Sequence, residues 1–175
     1  MKKKVAIIIP THKKKLNSFE EKIIKKISTL YSNIYDLFFV CPESSTINYT
    51  KYKFTNIYLD KSNFLSHVTY CDMCLNLEFY KKFIDYKYIL INQLDSIILK
   101  DELDLWCDKN YSYIGAPSWH KNLNKSKLTK PKYFCNGGFS LRKVNDFIEV
   151  LNSKRISFKK VDRKIIKQVF LKGYI

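Results

Sequence analysis

The feature that most constrains this chain is a continuous apolar run near the amino terminus, Val5–Ile9, which stops at Pro10. A run without alternating polar residues is typical of a strand buried on both faces of a parallel sheet. A second such run is YDLFFVCP (35–42), and FTNIYLD (54–60) is a third, shorter and more polar. Helix-like segments separate the runs, and this alternation predicts an α/β fold.

Two segments of the first half have helical spacing. In residues 17–33, Ser18 is the predicted N-cap because Glu21 follows it three residues later. A second helix is predicted over about Leu65 to Ile84. The apolar positions that define the two helical faces are Ile23, Ile24, Ile27 and Leu30 in the first, and Leu75, Phe79 and Phe83 in the second.

The second half continues the alternation. A fourth strand is predicted over YILINQLDSIIL (88–99), a short helix or turn over 101–109, and a fifth strand over 111–118. A Lys-rich loop follows from Trp119 to Lys132. Residues 133–144 are predicted to form a strand, a double-glycine turn, and then a second strand or the start of a helix. Two further helices are predicted over 144–153 and 162–171. Together they predict a single-domain, mostly parallel twisted sheet with helices on both faces.

Length and composition agree with one folded domain. The chain has 175 residues, of which 46% are hydrophobic, 15% are aromatic and only four are glycine. The start, MKKKVAIIIPTHKKK, imitates a signal peptide, but its apolar run is too short and no small-residue cleavage site follows. No stretch is long enough to span a bilayer. We therefore expect a cytoplasmic protein, with a position at the inner face of the membrane left open.

The net charge of +16 raises the question of anionic partners. Almost all of the excess is lysine, and the only arginines are Arg142, Arg155 and Arg163. Arginine is the usual bidentate reader of phosphates and bases, so we expect no nucleic-acid partner. A bias towards A+T-rich codons explains most of the lysine, and attraction to an anionic substrate or lipid is the remaining interpretation. The five cysteines are expected to be free thiols, including the Cys71–Cys74 pair.

Asp95 is the first candidate for chemistry, because it interrupts an apolar, strand-like run together with Gln93 and Ser96. A carboxylate at the end of a buried strand can hold a hard cation that stabilises a diphosphate. The neighbouring Gln93 and Ser96 offer neutral oxygens to the cation or to a ribose. The structural alternative is a capping or solvent-facing aspartate.

Two further groups are candidates because ligands bind at the carboxyl ends of strands in such sheets. Asn136, Gly137 and Gly138 indicate special backbone angles or the close approach of a ligand, and their alternative is a hairpin turn. Pro10, Thr11 and His12 follow the first strand, with His12 expected to be exposed rather than catalytic. The sequence does not establish that these motifs converge. It contains no P-loop and no dinucleotide-binding fingerprint.

Three segments together resemble a known family: VAIIIPTHK, residues 79–119 with their QLDS, WC and YIGAP motifs, and CNGGFSLRKV. The family occurs in bacteria and fungi, and it is catalogued as a domain of unknown function. Its members are regarded as glycosyltransferases with a GT-A-like fold. The resemblance covers Val5 to about Val144. It implies a hexosyltransferase-type enzyme of polysaccharide biosynthesis, which moves a sugar from a nucleotide-diphosphate donor to a hydroxyl of a glycan or glycolipid.

The resemblance also implies roles for particular residues. QLDS stands where GT-A enzymes have Asp-x-Asp, which makes Asp95 a catalytic residue and the ligand of Mn²⁺ or Mg²⁺. Asn136 is the second catalytic candidate. The residues implied in binding the nucleotide-sugar are Pro10, Thr11, Gln93, Asp95, Ser96, Gly137, Gly138 and Phe139.

This chain departs from the family pattern in two ways. Gln93 occupies the position of the first aspartate, and a single carboxylate is a weak anchor for a divalent cation. A late acidic motif is also missing, since Asp162 is the only acid in residues 161–175. Residues 1–175 are therefore expected to form one GT-A-like domain that is truncated at its carboxyl end or lacks a catalytic base. The alternative function is a non-catalytic module that binds a nucleotide-sugar.

Overall fold

A computed structural model describes residues 2–118 and 133–153. Its strands are β1 (Lys3–Pro10), β2 (Asp36–Pro42), β3 (Phe54–Leu59), β4 (Tyr86–Asn92), β5 (Tyr113–Ser118) and β6 (Tyr133–Lys143). Its α-helices are α1 (Ser18–Tyr31), α2 (His67–Met73), α3 (Leu77–Lys81), α4 (Leu103–Asp108) and α5 (Val144–Asn152). Short 3₁₀ turns lie at Thr50–Tyr52 and Lys61–Phe64. The predicted loop over 119–132 and the predicted helix over 162–171 fall outside the described residues.

The six strands form one sheet in the order β3-β2-β1-β4-β6-β5. Strands β1, β2, β3 and β4 run parallel, whereas β6 is antiparallel to β4 and β5 is antiparallel to β6. The α/β fold with a mostly parallel sheet is therefore confirmed, and two antiparallel pairings complete it.

Strand β1 explains why the first apolar run has no polar positions. Val5, Ile7 and Ile9 pack into a core on one face of the sheet, and Ala6 and Ile8 pack into a second core on the other. Helices α1 and α4 cover the first face, and α2, α3 and α5 cover the second. Because both faces are covered, an apolar side chain is stabilising at every position from Val5 to Ile9.

The predicted apolar face of the first helix is confirmed, because Ile23, Ile24 and Ile27 are all buried. Its predicted start is wrong by one residue. Asn17 is the N-cap, and its Oδ1 accepts hydrogen bonds from the backbone N–H of Phe19 at 3.0 Å and of Glu20 at 2.9 Å. Glu20 returns the bond by accepting from the Asn17 N–H at 2.9 Å. Asparagine and serine both cap well, so local sequence alone did not separate them.

The single helix predicted over 65–84 is in fact two helices, α2 and α3. The chain leaves the helical path after Cys74, and Asn76 begins the next helix by accepting a hydrogen bond from the Glu78 N–H at 2.8 Å. The Tyr80 hydroxyl donates to the Cys74 carbonyl at 2.9 Å, which fixes the break from inside the protein. Phe79 and Phe83 are buried as the apolar spacing predicted.

No helix within the described ranges has both the length and the hydropathy that a bilayer crossing requires.

The observed N-cap predicts the effect of two neighbouring substitutions. Asn17→Ala should lower the free energy of unfolding by about 1 kcal/mol, because two backbone N–H groups lose their acceptor. Ser18→Ala, the matched control, should change it by less than about 0.5 kcal/mol. Urea denaturation of both variants measures the difference, and the reverse order of effects would mean that Ser18 is the cap.

Candidate functional site

Three of the candidate motifs lie along one edge of the sheet. Thr11 follows the carboxyl end of β1, and Gln93 follows the carboxyl end of β4. Because β6 runs antiparallel to β4 and pairs Phe139 with Asn92, Asn136 lies just beyond the same end of β4. This is the edge at which parallel sheets bind ligands.

A tight turn at residues 93–96 ends β4, so the predicted fourth strand over 88–99 is too long by several residues. The Ser96 N–H donates to the Gln93 carbonyl at 3.0 Å. The Asn92 side chain, which is fully buried, donates from Nδ2 to the carbonyls of Gln93 at 2.9 Å and Ser96 at 3.0 Å. Asn92 therefore fixes the turn from below. Sequence analysis did not assign it a role, although an asparagine directly before QLDS was the available signal.

Asp95 lies in this turn and is exposed, not embedded in a strand. Its Oδ1 accepts a hydrogen bond from the Ser96 hydroxyl at 3.4 Å. The next helix, α4, has Glu102 at its N-cap position, so Asp95 does not cap that helix. The turn thus presents a carboxylate at the ligand-binding edge of the sheet.

The QLDS and NGG motifs are in direct contact. The Gln93 N–H donates to the Gly138 carbonyl at 2.8 Å, and the Gly138 N–H donates to Asn136 Oδ1 at 2.9 Å. A Cβ atom on Gly138 would lie only 2.4 Å from Gln93 Oε1. A side chain at position 138 would therefore force the Gln93 amide to move from its present position.

The hairpin interpretation of NGG is wrong. Strand β6 continues through Gly137 and Gly138, and neither glycine has a positive φ. Asn136 pairs across the sheet with Ala116 of β5, where the register is irregular. The antiparallel neighbours on both sides hold the segment extended, which local sequence did not reveal.

The first-strand motif borders a separate cavity at the same edge. Thr11 is buried, with its N–H donating to the Val40 carbonyl at 2.9 Å, and His12 is exposed as expected. Next to it lies a cavity of about 380 Å³ whose wall combines cationic and apolar side chains: His12, Lys14, Pro42, Ser44, Lys61, Phe64 and Leu65. Such a wall suits an anion that carries an apolar or aromatic part.

The other predicted binding residues occupy defined places. Pro10 is the last residue of β1 and pairs with Val40 of β2. Phe139 packs against the core on the face covered by α1 and α4. Its partly buried ring thus has a packing role in addition to any contact with a ligand.

Sequence analysis also missed a buried cation behind the NGG segment. Arg142 of β6 is only 5% exposed, and its guanidinium donates to the Tyr80 hydroxyl from Nη1 at 2.7 Å. Burial by itself lowers the pKa of Arg142, but Tyr80, Cys74 and Tyr113 raise it by more, so the group stays cationic. The signal available from the sequence was an arginine near the carboxyl end of the strand that follows the glycine pair.

The Tyr70 hydroxyl lies near this group. It is buried and has no hydrogen-bond partner among the described residues. Burial, followed by Cys74, raises the pKa of Tyr70 well above its ordinary value, against smaller lowering effects from Arg142 and Gln93. The Tyr70 hydroxyl therefore stays neutral beside Gln93.

The residues present fit a cation shared with a ligand better than a resident metal ion. Across residues 2–118 and 133–153, no cluster of three or more His, Cys, Asp or Glu side chains is arranged to hold a metal. Asp95 offers one carboxylate, and Mg²⁺ is commonly bound by one or two carboxylates together with substrate phosphates. Cys41, Cys74 and Cys107 are free thiols, as expected.

The fold and site define an α/β protein with a candidate ligand site at the carboxyl edge of its sheet. Residues 53–171 match the family model described as "Protein of unknown function (DUF5672)", which covers more than half of the chain. The chain belongs to this family. A comparison with curated proteins finds no match.

The contact between the two motifs predicts a compensating pair of substitutions. Gly138→Ala should destabilise the protein by about 1–2 kcal/mol, because the new Cβ displaces the Gln93 amide. In a Gln93→Ala background the obstructing atoms are gone, and the same change should cost much less. Urea denaturation of the two single variants and the double variant measures this coupling. Equal costs in both backgrounds would contradict the contact.

Proposed function

We propose that this protein is a glycosyltransferase. It transfers a sugar from a nucleotide-diphosphate donor to a hydroxyl group of a glycan or glycolipid. The observation that carries the proposal is the contact between the Gln93–Ser96 turn and the Asn136–Gly138 segment at the carboxyl edge of the sheet. These two motifs are among the segments that carry the sequence resemblance to glycosyltransferases.

The charges at this edge support a diphosphate ligand. The cavity beside β1 has Lys14 and Lys61 in its wall, together with the aromatic ring of Phe64. Cationic groups attract the phosphates, and an aromatic wall suits a nucleobase. We therefore propose that the nucleobase of the donor lies in this cavity near His12, and that the diphosphate extends from there towards Asp95.

The chemical step makes a specific demand on the site. The bond between the anomeric carbon and the diphosphate oxygen breaks, a bond to the acceptor oxygen forms, and the acceptor hydroxyl loses its proton. Negative charge grows on the departing diphosphate, so catalysis needs positive charge or hydrogen-bond donors there. Asp95 would hold a divalent cation shared with the diphosphate, and that cation would supply Lewis-acid stabilisation.

Within this proposal the remaining residues orient the donor. Gln93 and Ser96 have neutral oxygens and hydrogen-bond donors beside Asp95, in a turn that Asn92 holds rigid. Asn136 keeps the NGG segment in place by accepting from the Gly138 N–H. A rigid site loses less conformational entropy when the ligand binds.

Asp95→Asn tests the proposal, because it keeps the shape of the side chain and removes its charge. The free energy of unfolding of the variant should lie within about 1 kcal/mol of the wild-type value. It should lose about 2–4 kcal/mol of metal-dependent donor binding or turnover, comparable to one key electrostatic contact to a transition state. Thermal stabilisation by a panel of nucleotide-sugars, with and without Mn²⁺, measures the binding.

Asp85→Asn is the matched control, since Asp85 is an exposed aspartate just before the opposite end of β4. It should leave binding and turnover unchanged. Unchanged nucleotide-sugar affinity in Asp95→Asn would contradict the role of Asp95. Donor binding without transfer to any acceptor would favour the alternative, a non-catalytic nucleotide-sugar-binding module.

A further inference from the structure

Arg142 is buried, and no carboxylate among residues 2–118 and 133–153 forms an ion pair with it. Each ion pair found in the described residues is made by a lysine. Of the 16 acidic residues in the chain, Asp162 is the only one outside the described ranges. Burying an unpaired charge costs several kcal/mol of stability. A functional role would explain why the chain keeps a buried arginine of this kind.

Neutral groups satisfy most of the guanidinium. Nε donates to Ser140 Oγ at 3.1 Å, and Nη1 donates to the Tyr80 hydroxyl at 2.7 Å and to the Cys74 carbonyl at 3.4 Å. The rings of Tyr113 and Phe147 lie 5.7 Å and 5.6 Å from its central carbon. These contacts keep the charge in place, but none of them neutralises it.

The charge lies directly behind the candidate site. Nη2 donates to the Gly137 carbonyl at 3.4 Å, and a Cβ atom on Gly137 would lie 3.1 Å from the same nitrogen. Ser140 connects the same two groups, since its hydroxyl donates to the Gly137 carbonyl at 3.1 Å. Gly138, the next residue, contacts Gln93. The guanidinium therefore supports the backbone that forms the edge.

We propose that Arg142 supplies a fixed positive charge that draws the diphosphate of the ligand to the edge formed by Gln93–Ser96 and Asn136–Gly138. This inference rests on the proposed function and adds a source of charge to it. Arg142 acts through the intervening Gly137 and is a positioning residue. A charge in a poorly solvated interior is weakly screened, so it acts on an anion that it does not touch. It complements Asp95, whose single carboxylate is a weak anchor for a cation.

Two independent substitutions test this charge, one by removing it and the other by neutralising it. Arg142→Met keeps a long side chain and removes the cation. Ser140→Asp keeps the arginine but places a carboxylate at the atom that now accepts from Nε, and Ser140→Asn is its neutral control of the same shape. Because Ser140→Asp creates a buried ion pair with Arg142, it remains informative where Arg142→Met fails to fold.

Calorimetric titration with inorganic pyrophosphate and a panel of nucleoside diphosphates measures the effect. Arg142→Met and Ser140→Asp should each weaken binding. For a ligand charge about 10 Å from the guanidinium, the expected loss is on the order of tenfold per unit of ligand charge. Arg142→Lys and Ser140→Asn should stay within about threefold of the wild-type protein. Binding of the uncharged nucleosides should not change in any folded variant, which a merely structural role of Arg142 would not predict.

The outcomes separate this inference from the proposed function. If folded Arg142→Met or Ser140→Asp binds nucleoside diphosphates as strongly as the wild-type protein does, the inference is overturned and the proposed function stays intact. Wild-type binding of pyrophosphate but of no nucleoside diphosphate would overturn the nucleotide-sugar function and keep the anion site. Absence of both kinds of binding in the wild-type protein would overturn both.

Discussion

The candidate site depends on one pairing, the antiparallel register of β4 with β6. This register places Phe139 opposite Asn92, and it therefore brings Gly138 into contact with Gln93. A shift by one residue would turn every side chain of β6 to the other face of the sheet. Arg142 would then leave the side of Tyr80 and Phe147, and the NGG segment would lose its place beside the QLDS turn.

The polar groups around this pairing show how the edge is held rigid. Asn92 donates from the interior to two carbonyl groups of the turn, and Arg142 donates to Gly137 from the other side of the sheet. Buried polar groups are favourable only when they are hydrogen-bonded, so these contacts fix the backbone firmly. Two buried atoms near Gln93, the Tyr70 hydroxyl and Asn92 Oδ1, have no hydrogen-bond partner among the described residues.

Charge is unevenly distributed between the surface and the interior of the site. The exposed part carries Asp95 and the lysines of the cavity, where solvent and salt weaken their effects. The interior carries Arg142, which has no acidic partner among the residues that the structure describes. A diphosphate that binds at this edge as proposed would thus meet positive charge from two directions, the lysines of the cavity and the buried guanidinium.

The sequence by itself determined the α/β class, the covered sheet and the identity of most elements, because strands and helices have distinct apolar periods over a few residues. It also indicated Asp95, Gln93 and the glycine pair as neighbours of a site. The tertiary structure decided the end of β4 at Asn92, the break between α2 and α3, and the extended path of β6 through Gly137 and Gly138. It also decided that Arg142 lies buried beside Tyr80 and Ser140. The path of β6 and the burial of Arg142 depend on contacts between residues far apart in the chain. The end of β4 and the break between the helices depend on side-chain hydrogen bonds whose partners only the folded backbone brings into place.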